Sequence, residues 1–114
     1  MSELQGIGRF KFQDGKLEDF KRLSAQAMEI VRAKDTGTLQ YEIYFSNDQS
    51  EAIVLERYRD SEALAEHAAN LGEIGQAIPA TGLVSSELLG EPSAELKAKL
   101  ADSPVHLFTP FLSM

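Results

Sequence analysis

Two runs of alternating apolar and polar residues at the centre of the chain most constrain its fold. Every second residue of TLQYEIYFSN is apolar and falls on one face of a strand, because side chains alternate with a period of two. These residues are Leu39, Tyr41, Ile43 and Phe45, with Tyr44 on the other face. The polar turn NDQSE follows, and AIVLERYR then returns with Ala52, Val54 and Tyr58 on one face. The pattern predicts an antiparallel β-hairpin.

Amphipathic helices and further strands flank the hairpin. From Leu17 to Arg32, apolar residues recur at steps of three and four, which predicts a helix, and Asp14 is its candidate N-cap. A second helix starts at about Asp60 or Ser61. LQGIGRFKFQ and LVSSELLG read as the first and last strands. The order β-α-β-β-α-β is that of the ferredoxin-like split βαβ fold, an α+β fold with an antiparallel sheet.

The length of 114 residues fits one domain over 1–114. We expect a ferredoxin-like core over 1–90. The segment 91–114 should then form a short helix and an apolar tail, in which Pro110 suits the edge of a sheet. Neither sheet face is cleanly polar, since Ile53 and Leu55 point away from Tyr58. The sequence therefore predicts a homodimer that covers the exposed face, with the tail contributing to the interface.

Composition removes several classes of function. The chain has no cysteine, which excludes thiolate chemistry and disulfides. It has only two histidines, so we do not expect a metal site built from several histidine ligands. A net charge of -7 without a basic cluster argues against nucleic-acid binding. No apolar run approaches the roughly 20 residues of a membrane span. We therefore expect a cytoplasmic protein that binds neither nucleic acid nor membrane.

One histidine lies on the apolar side of the second helix. Leu64, His67 and Leu71 follow the spacing of a core-facing stripe. Glu56 and Tyr58 share one face of the preceding strand, so a carboxyl group, a phenol and an imidazole are predicted to converge on one cavity. Such an imidazole suits a general base, and the phenol suits stabilisation of an oxyanion. The alternative is a buried, hydrogen-bonded histidine beside a tyrosine that only packs.

The same region resembles the antibiotic biosynthesis monooxygenase family. The family signature is a turn glycine, a tyrosine-containing strand, a polar hairpin, Glu-x-(Trp or Tyr)-x-Asp and a helical histidine. The matching residues are Gly37, Tyr41, Glu56, Tyr58, Asp60 and His67. The resemblance extends to about Leu89 and implies a dimeric α+β barrel. It also implies that His67 is a base and that Tyr58 orients the substrate, because family reactions take a proton from an enol, phenol or hydroxyketone.

Departures from the family pattern narrow the hypotheses. Many oxygenase members have tryptophan at the position of Tyr58, and haem-degrading members use a first-strand asparagine that GIGRFKF lacks. The leading hypothesis is a cofactor-independent monooxygenase that uses molecular oxygen on a small quinol or enolisable aromatic, with no metal. Its predicted catalytic residues are His67, Tyr58 and Glu56, and Tyr41, Tyr44 and Leu64 are predicted to contact substrate. The alternatives are an isomerase of a small hydroxyketone, as in autoinducer-2 degradation, and a non-catalytic dimeric module that binds a small ligand.

Overall fold

A five-stranded sheet carries the helices on one of its faces. The computed structural model describes residues 3–114. Its strands are β1 (Leu4–Phe12), β2 (Thr38–Phe45), β3 (Glu51–Tyr58), β4 (Gly82–Leu89) and β5 (His106–Phe108). Its helices are α1 (Leu17–Lys34), α2 (Ser61–Leu71), α3 (Glu73–Ala77) and α4 (Ala94–Leu100), with a 3₁₀ turn at Pro79–Thr81.

The order of the strands across the sheet is β2-β3-β1-β4-β5. The first four strands pair antiparallel, which confirms the predicted ferredoxin-like α+β arrangement. β5 adds to the β4 edge in the parallel direction, with Leu107 opposite Leu88. The tail therefore does reach a sheet edge, but the sequence did not predict this short fifth strand. Pro110 lies just beyond it.

The predicted N-cap is wrong for α1 and correct for α2. Asp14 does not cap α1, because it lies in a turn and the helix begins two residues after Gly15, with no side-chain cap. α1 also extends to Lys34, two residues past its predicted end. α2 begins where predicted: the Asp60 carboxylate accepts a hydrogen bond from the backbone N–H of Ala63. That cap satisfies one of the free N–H groups at the helix start.

The main core lies between α1 and the sheet. Phe20 is fully buried on α1 and packs against Phe10 of β1, with ring centroids 5.1 Å apart. Ala52 and Val54 of β3 are buried in the same cluster. Tyr58 is also buried, which places the face of β3 that carries Glu56 and Tyr58 under the helices. The sheet alternation therefore directs both residues toward α2.

A β-bulge in β2 changes which residues face the helices. Thr38 pairs with Tyr58, but the next pair is Gln40 with Arg57, so β2 contains one extra residue at this point. Leu39 was predicted to share the face of Tyr41, and this is wrong: Leu39 is 46% exposed. The irregularity instead places Thr38 opposite Tyr58. Bulges of this kind re-aim side chains and are frequent beside functional sites.

The sheet face opposite the helices retains exposed apolar side chains. Leu83 is 70% exposed on this face, and the side chain of Tyr44 also lies there. Beyond β5, Phe111 and Leu112 are exposed as well. No helix within residues 3–114 has both the length and the apolarity required to cross a membrane.

Candidate active site

α2 holds His67 against the sheet because its first turn packs tightly on the loop before β2. A Cβ atom on Gly37 would lie 2.5 Å from the Cβ atom of Ala63, so only glycine fits at this contact. The backbone N–H of Arg59 donates to the carbonyl of Gly37 at 2.9 Å. His67 is consequently 6% exposed. Its ring lies between two aromatic neighbours, Tyr41 and Tyr58, with each ring centroid 5.3 Å from that of the imidazole.

A buried carboxylate contacts one nitrogen of this imidazole. Asp35 is the first residue after α1, and its Oδ2 lies 2.8 Å from His67 Nδ1. Oδ2 also accepts a hydrogen bond from Thr38 Oγ1 at 2.7 Å, and Oδ1 accepts one from Asn70 Nδ2 at 2.7 Å. The side chain of Asp35 is 1% exposed. Burial acts to raise the pKa of Asp35, but the hydrogen bonds from Asn70, Thr38 and His67 outweigh it and hold that pKa below its ordinary value.

A second carboxyl group lies near the other nitrogen. Glu56 Oε1 is 3.8 Å from His67 Nε2 and accepts a hydrogen bond from the Tyr58 hydroxyl. Burial raises the pKa of Glu56, and the charge of Asp35 adds to that rise. Burial and the nearby Glu56 carboxylate raise the pKa of both Tyr41 and Tyr58, so both phenols remain protonated near neutral pH. Tyr58 is therefore a hydrogen-bond donor at this site.

Two adjoining cavities open beside the imidazole, and we call them together the hollow. The first cavity has a volume of about 200 Å³ and the second about 170 Å³. Both are lined by Gly8, Glu56, His67 and Ser86. Tyr58 lines the first cavity and Tyr41 lines the second.

The floor of the hollow exists because β1 has glycine at two helix-facing positions. Gly6 and Gly8 alternate with Leu4 and Phe10 on this face of the strand, and neither glycine contributes a side chain. The first cavity is lined further by apolar side chains from α2, β4 and the segment after β4. These are Leu64, Leu88, Leu100 and Val105. The result is an apolar pocket with a few convergent polar groups, which is typical of a small-molecule site.

The structure brings together most residues that the sequence singled out. His67, Tyr58 and Glu56 converge as predicted, Tyr41 lies against the imidazole, and Leu64 lines the first cavity. Neither nitrogen of His67 bonds a backbone carbonyl within the described residues, and the ring lines both cavities.

Tyr44 lies apart from this group. It is 53% exposed on the opposite face of the sheet, where its hydroxyl donates to Glu42 Oε1 at 2.8 Å. The hairpin alternation explains this position, because Tyr44 pairs with Ile53 and points away from the helices. Tyr44 therefore does not line the hollow of its own chain, and its predicted contact with substrate is wrong for a single chain. His106 is exposed at the β5 edge.

The sequence reading missed Asp35, Asn70 and Thr38. One signal was available for Asp35: a carboxylate that directly follows a helix is unfavourable with the helix dipole, so its presence there requires an explanation. A weaker signal was available for Asn70, which lies three residues after His67 on the same face of α2. Thr38 had no such signal, because the bulge that positions it is invisible in the regular alternation of β2.

The family model described as antibiotic biosynthesis monooxygenase matches residues 7–72, which is more than half of the chain. The match includes His67 and its neighbours Asp35, Tyr41, Glu56 and Tyr58. The chain belongs to the antibiotic biosynthesis monooxygenase family. The match confirms the family that the hairpin signature indicated. No curated protein matches the chain.

Several solved structures share the fold of this chain. MupZ from Pseudomonas fluorescens is 22% identical, with a TM-score of 0.84 over 98% of this chain and 93% of MupZ. Rv0793 from Mycobacterium tuberculosis is 24% identical, with a TM-score of 0.68 over 80% and 96%. A mutant of SnoaB, a cofactor-independent oxygenase from Streptomyces nogalater, is 16% identical, with a TM-score of 0.65 over 75% and 89%. At these identities the likeness establishes the fold.

Proposed function

We propose that this family member is a cofactor-independent monooxygenase that acts on a small quinol or a related enolisable aromatic. The observation that carries the proposal is the position of His67. One nitrogen of its ring contacts the buried Asp35 carboxylate, and the ring lines an apolar hollow beside the Tyr58 phenol. An imidazole held in this way beside an apolar cavity is suited to accept a proton from a bound hydroxyl group.

The first step is removal of that proton. The substrate hydroxyl transfers its proton to His67 Nε2, and the Asp35 carboxylate stabilises the imidazolium that forms. The apolar walls lower the local dielectric constant and so strengthen these electrostatic interactions. The Tyr58 hydroxyl, which donates to Glu56 in the free protein, is available to donate to the developing oxyanion.

The second step uses molecular oxygen as the oxidant. The substrate anion transfers an electron to oxygen, the two radicals combine to form a C–O bond, and the hydroperoxide loses water. For a simple quinol the balance is one quinol and one O₂ giving one hydroxyquinone and one water. One oxygen atom enters the product, and the other leaves as water with the two hydrogens of the substrate. SnoaB, described as a cofactor-independent oxygenase, provides a precedent for such chemistry on this fold.

The size of the hollow supports a ligand with one or two rings. An apolar cavity of about 150 Å³ accommodates benzene. The first cavity alone, at about 200 Å³, therefore has room for one substituted ring, and the second adjoins it at the imidazole. The second cavity shares the lining residues Gly8, Glu56, His67 and Ser86, so it offers space for a substituent of that ring.

The test is oxygen uptake by the purified protein with a hydroquinone. We expect His67→Ala to lower the rate by about 10²-fold or more, the typical contribution of a general base. His106→Ala is the matched control, because it removes the other histidine of the chain, which is exposed. Equal rates for His67→Ala and the unaltered protein would contradict the proposal. Tight ligand binding without turnover would instead identify a non-catalytic binding module.

An isomerase of a small hydroxyketone is a second candidate. It is favoured by the presence of two proton-exchanging groups, His67 and Glu56, in one hollow, with Glu56 Oε1 3.8 Å from Nε2. One group would remove a proton from one carbon, and the other would return it to the neighbouring atom. Turnover under strict anaerobiosis would support the isomerase, whereas an absolute requirement for oxygen would support the monooxygenase.

We also propose that the active form is a homodimer. The exposed apolar side chains on the helix-free sheet face, including Leu83, would be covered by a second copy of the chain. The exposed Phe111 and Leu112 of the tail would extend the same interface. A cytoplasmic location remains a prediction from the sequence.

A further inference from the structure

We infer that Asp35 is the positioning residue of this site: it holds the His67 imidazole with the proton on Nδ1 and thereby leaves Nε2 free to act as the base. The catalytic consequence rests on the proposed function. The assignment of the proton to Nδ1 rests only on the contacts of Asp35, and it is testable without any substrate.

The hydrogen bonds around Asp35 determine which nitrogen carries the proton. An ionised carboxylate only accepts hydrogen bonds, and Asp35 Oδ2 lies 2.8 Å from His67 Nδ1. Nδ1 is therefore the donor, and in the neutral ring Nε2 then has the free lone pair. Thr38 and Asn70 donate to the same carboxylate and keep it from rotating away.

His67 is the counterion of Asp35. Within residues 3–114, His67 is the one basic side chain that lies within 4.0 Å of Asp35. Asp35 also follows the C-terminus of α1, where the helix dipole disfavours a negative charge. The charge is thus best explained by the imidazolium that it stabilises during proton transfer.

The groups near Nε2 of His67 differ from those near Nδ1. Besides Asp35, the titratable groups that face His67 are Tyr41 of β2 and both Glu56 and Tyr58 of β3. The two carboxyl groups differ: the hydrogen bonds to Asp35 hold its pKa low, whereas burial raises the pKa of Glu56. Asp35 therefore stays ionised at Nδ1 while Glu56 is able to exchange a proton near Nε2. Carboxyl groups with opposed environments commonly have separate roles in one site.

The decisive experiment is nitrogen-15 NMR of the imidazole rings. The chain has two histidines, and the exposed His106 serves as an internal reference. At a pH where both rings are neutral, we expect His67 to show the spectrum of a ring protonated on Nδ1. A proton on Nε2 of His67 in the unaltered protein would overturn the inference without any variant.

Two variants separate the charge from the hydrogen bonds. In Asp35→Asn, Asn70 continues to donate to the remaining oxygen, so the new amide nitrogen faces His67 and the proton moves to Nε2. Thr38→Val is the matched control, because it removes a donor to the same carboxylate but retains the charge. We expect the tautomer to reverse in Asp35→Asn and to persist in Thr38→Val. An unchanged tautomer in Asp35→Asn would contradict the inference.

Steady-state kinetics add a second readout. We expect Asp35→Asn to lower kcat by about 10²-fold or more, with KM changed by less than about threefold, because the altered step is proton transfer. Equal losses of kcat in Asp35→Asn and Thr38→Val would indicate a purely structural role.

The NMR and activity experiments test the positioning role of Asp35 and the proposed function separately. If His67 carries its proton on Nδ1 only while Asp35 is present, and no quinol is oxidised, the positioning role stands and the proposed function is wrong. If quinol oxidation depends on His67 but not on Asp35, the proposed function stands and this inference is wrong.

Discussion

Asp35 and Glu56 approach the same imidazole from opposite sides, with Asp35 Oδ2 2.8 Å from Nδ1 and Glu56 Oε1 3.8 Å from Nε2 of His67. They come from different parts of the chain, one from the end of α1 and the other from the middle of β3. Helix α2 provides the ring between them.

Replacing Tyr58 with phenylalanine should impair both stability and turnover. Tyr58→Phe removes the hydroxyl that donates to Glu56 and leaves a buried acceptor without its partner, which costs about 1–3 kcal/mol of unfolding free energy. We expect turnover to fall by about 10²-fold if the hydroxyl also stabilises an oxyanion. Urea unfolding and oxygen uptake measure the two effects.

Tyr44→Phe is the control for this variant. It removes a hydroxyl that also donates to a glutamate, but on the exposed face of the sheet. We expect it to change the unfolding free energy by less than about 0.5 kcal/mol, as is usual for surface substitutions. Equal effects of the two variants would show that the Tyr58 hydroxyl has no special role.

The raised pKa of Glu56 predicts a pH-dependent stability. Its carboxyl group binds a proton more tightly in the folded state, so its contribution to stability is fully present below the unfolded value of 4.5 and is lost as pH rises through the folded pKa. Glu56→Gln lacks this loss. The stability of the variant relative to the unaltered protein should therefore increase with pH above 4.5, by at most about 1.4 kcal/mol per pH unit.

Urea denaturation of both proteins between pH 4 and pH 8 would measure this difference. The glutamine retains an acceptor for the Tyr58 hydroxyl, so the comparison isolates the carboxyl proton. A difference that stays constant with pH would mean that the carboxyl group of Glu56 is not perturbed by folding.

Adding a methyl group at Gly8 should weaken ligand binding. A Cβ atom there would lie 3.3 Å from Phe10 Cε1 and 3.9 Å from Val54 Cβ, and Gly8 lines both cavities. One methyl group in an apolar pocket typically changes affinity by about 10-fold or more. We expect Gly8→Ala to raise KM accordingly. Gln5→Ala, an exposed position on the opposite face of β1, should leave KM unchanged; the same KM for both variants would place the ligand outside the hollow.

A charge on the helix-free sheet face should disrupt the proposed homodimer. Leu83 is 70% exposed on that face, and Leu83→Glu would bury a carboxylate without a partner in any interface formed there. We expect analytical ultracentrifugation to show a dimer for the unaltered protein and a monomer for the variant. Ala33→Glu adds the same charge on α1 and should remain dimeric. A monomeric unaltered protein would contradict the proposal directly.

Periodicity predicted the parts of the molecule that repeat. Alternation along β3 correctly placed Glu56 and Tyr58 on one face, and steps of three and four along α2 correctly placed His67 toward them. The role of Asp35 was not predicted, because Asp35 and His67 are 32 positions apart and a local sequence pattern does not indicate such a contact. The β2 bulge was not predicted either, because a regular alternation does not reveal an extra residue in one strand of a pair.

The C-terminal segment illustrates the same limit. A short β5 between prolines offers too few residues for a strand pattern, yet its pairing with β4 brings Val105 to the hollow. The helix α4 that precedes it is the short helix predicted within 91–114. Leu100 became a lining residue only through the way this helix packs, which depends on the assembled sheet.

Leu100 and Val105 form one side of the first cavity, and they come from a stretch of chain separate from every group proposed to handle protons. Part of the wall that selects a ligand is thus encoded apart from the groups that would exchange protons with it. A combinatorial library restricted to the codons for residues 91–114 would vary that part of the wall while leaving the imidazole and its two carboxyl neighbours untouched.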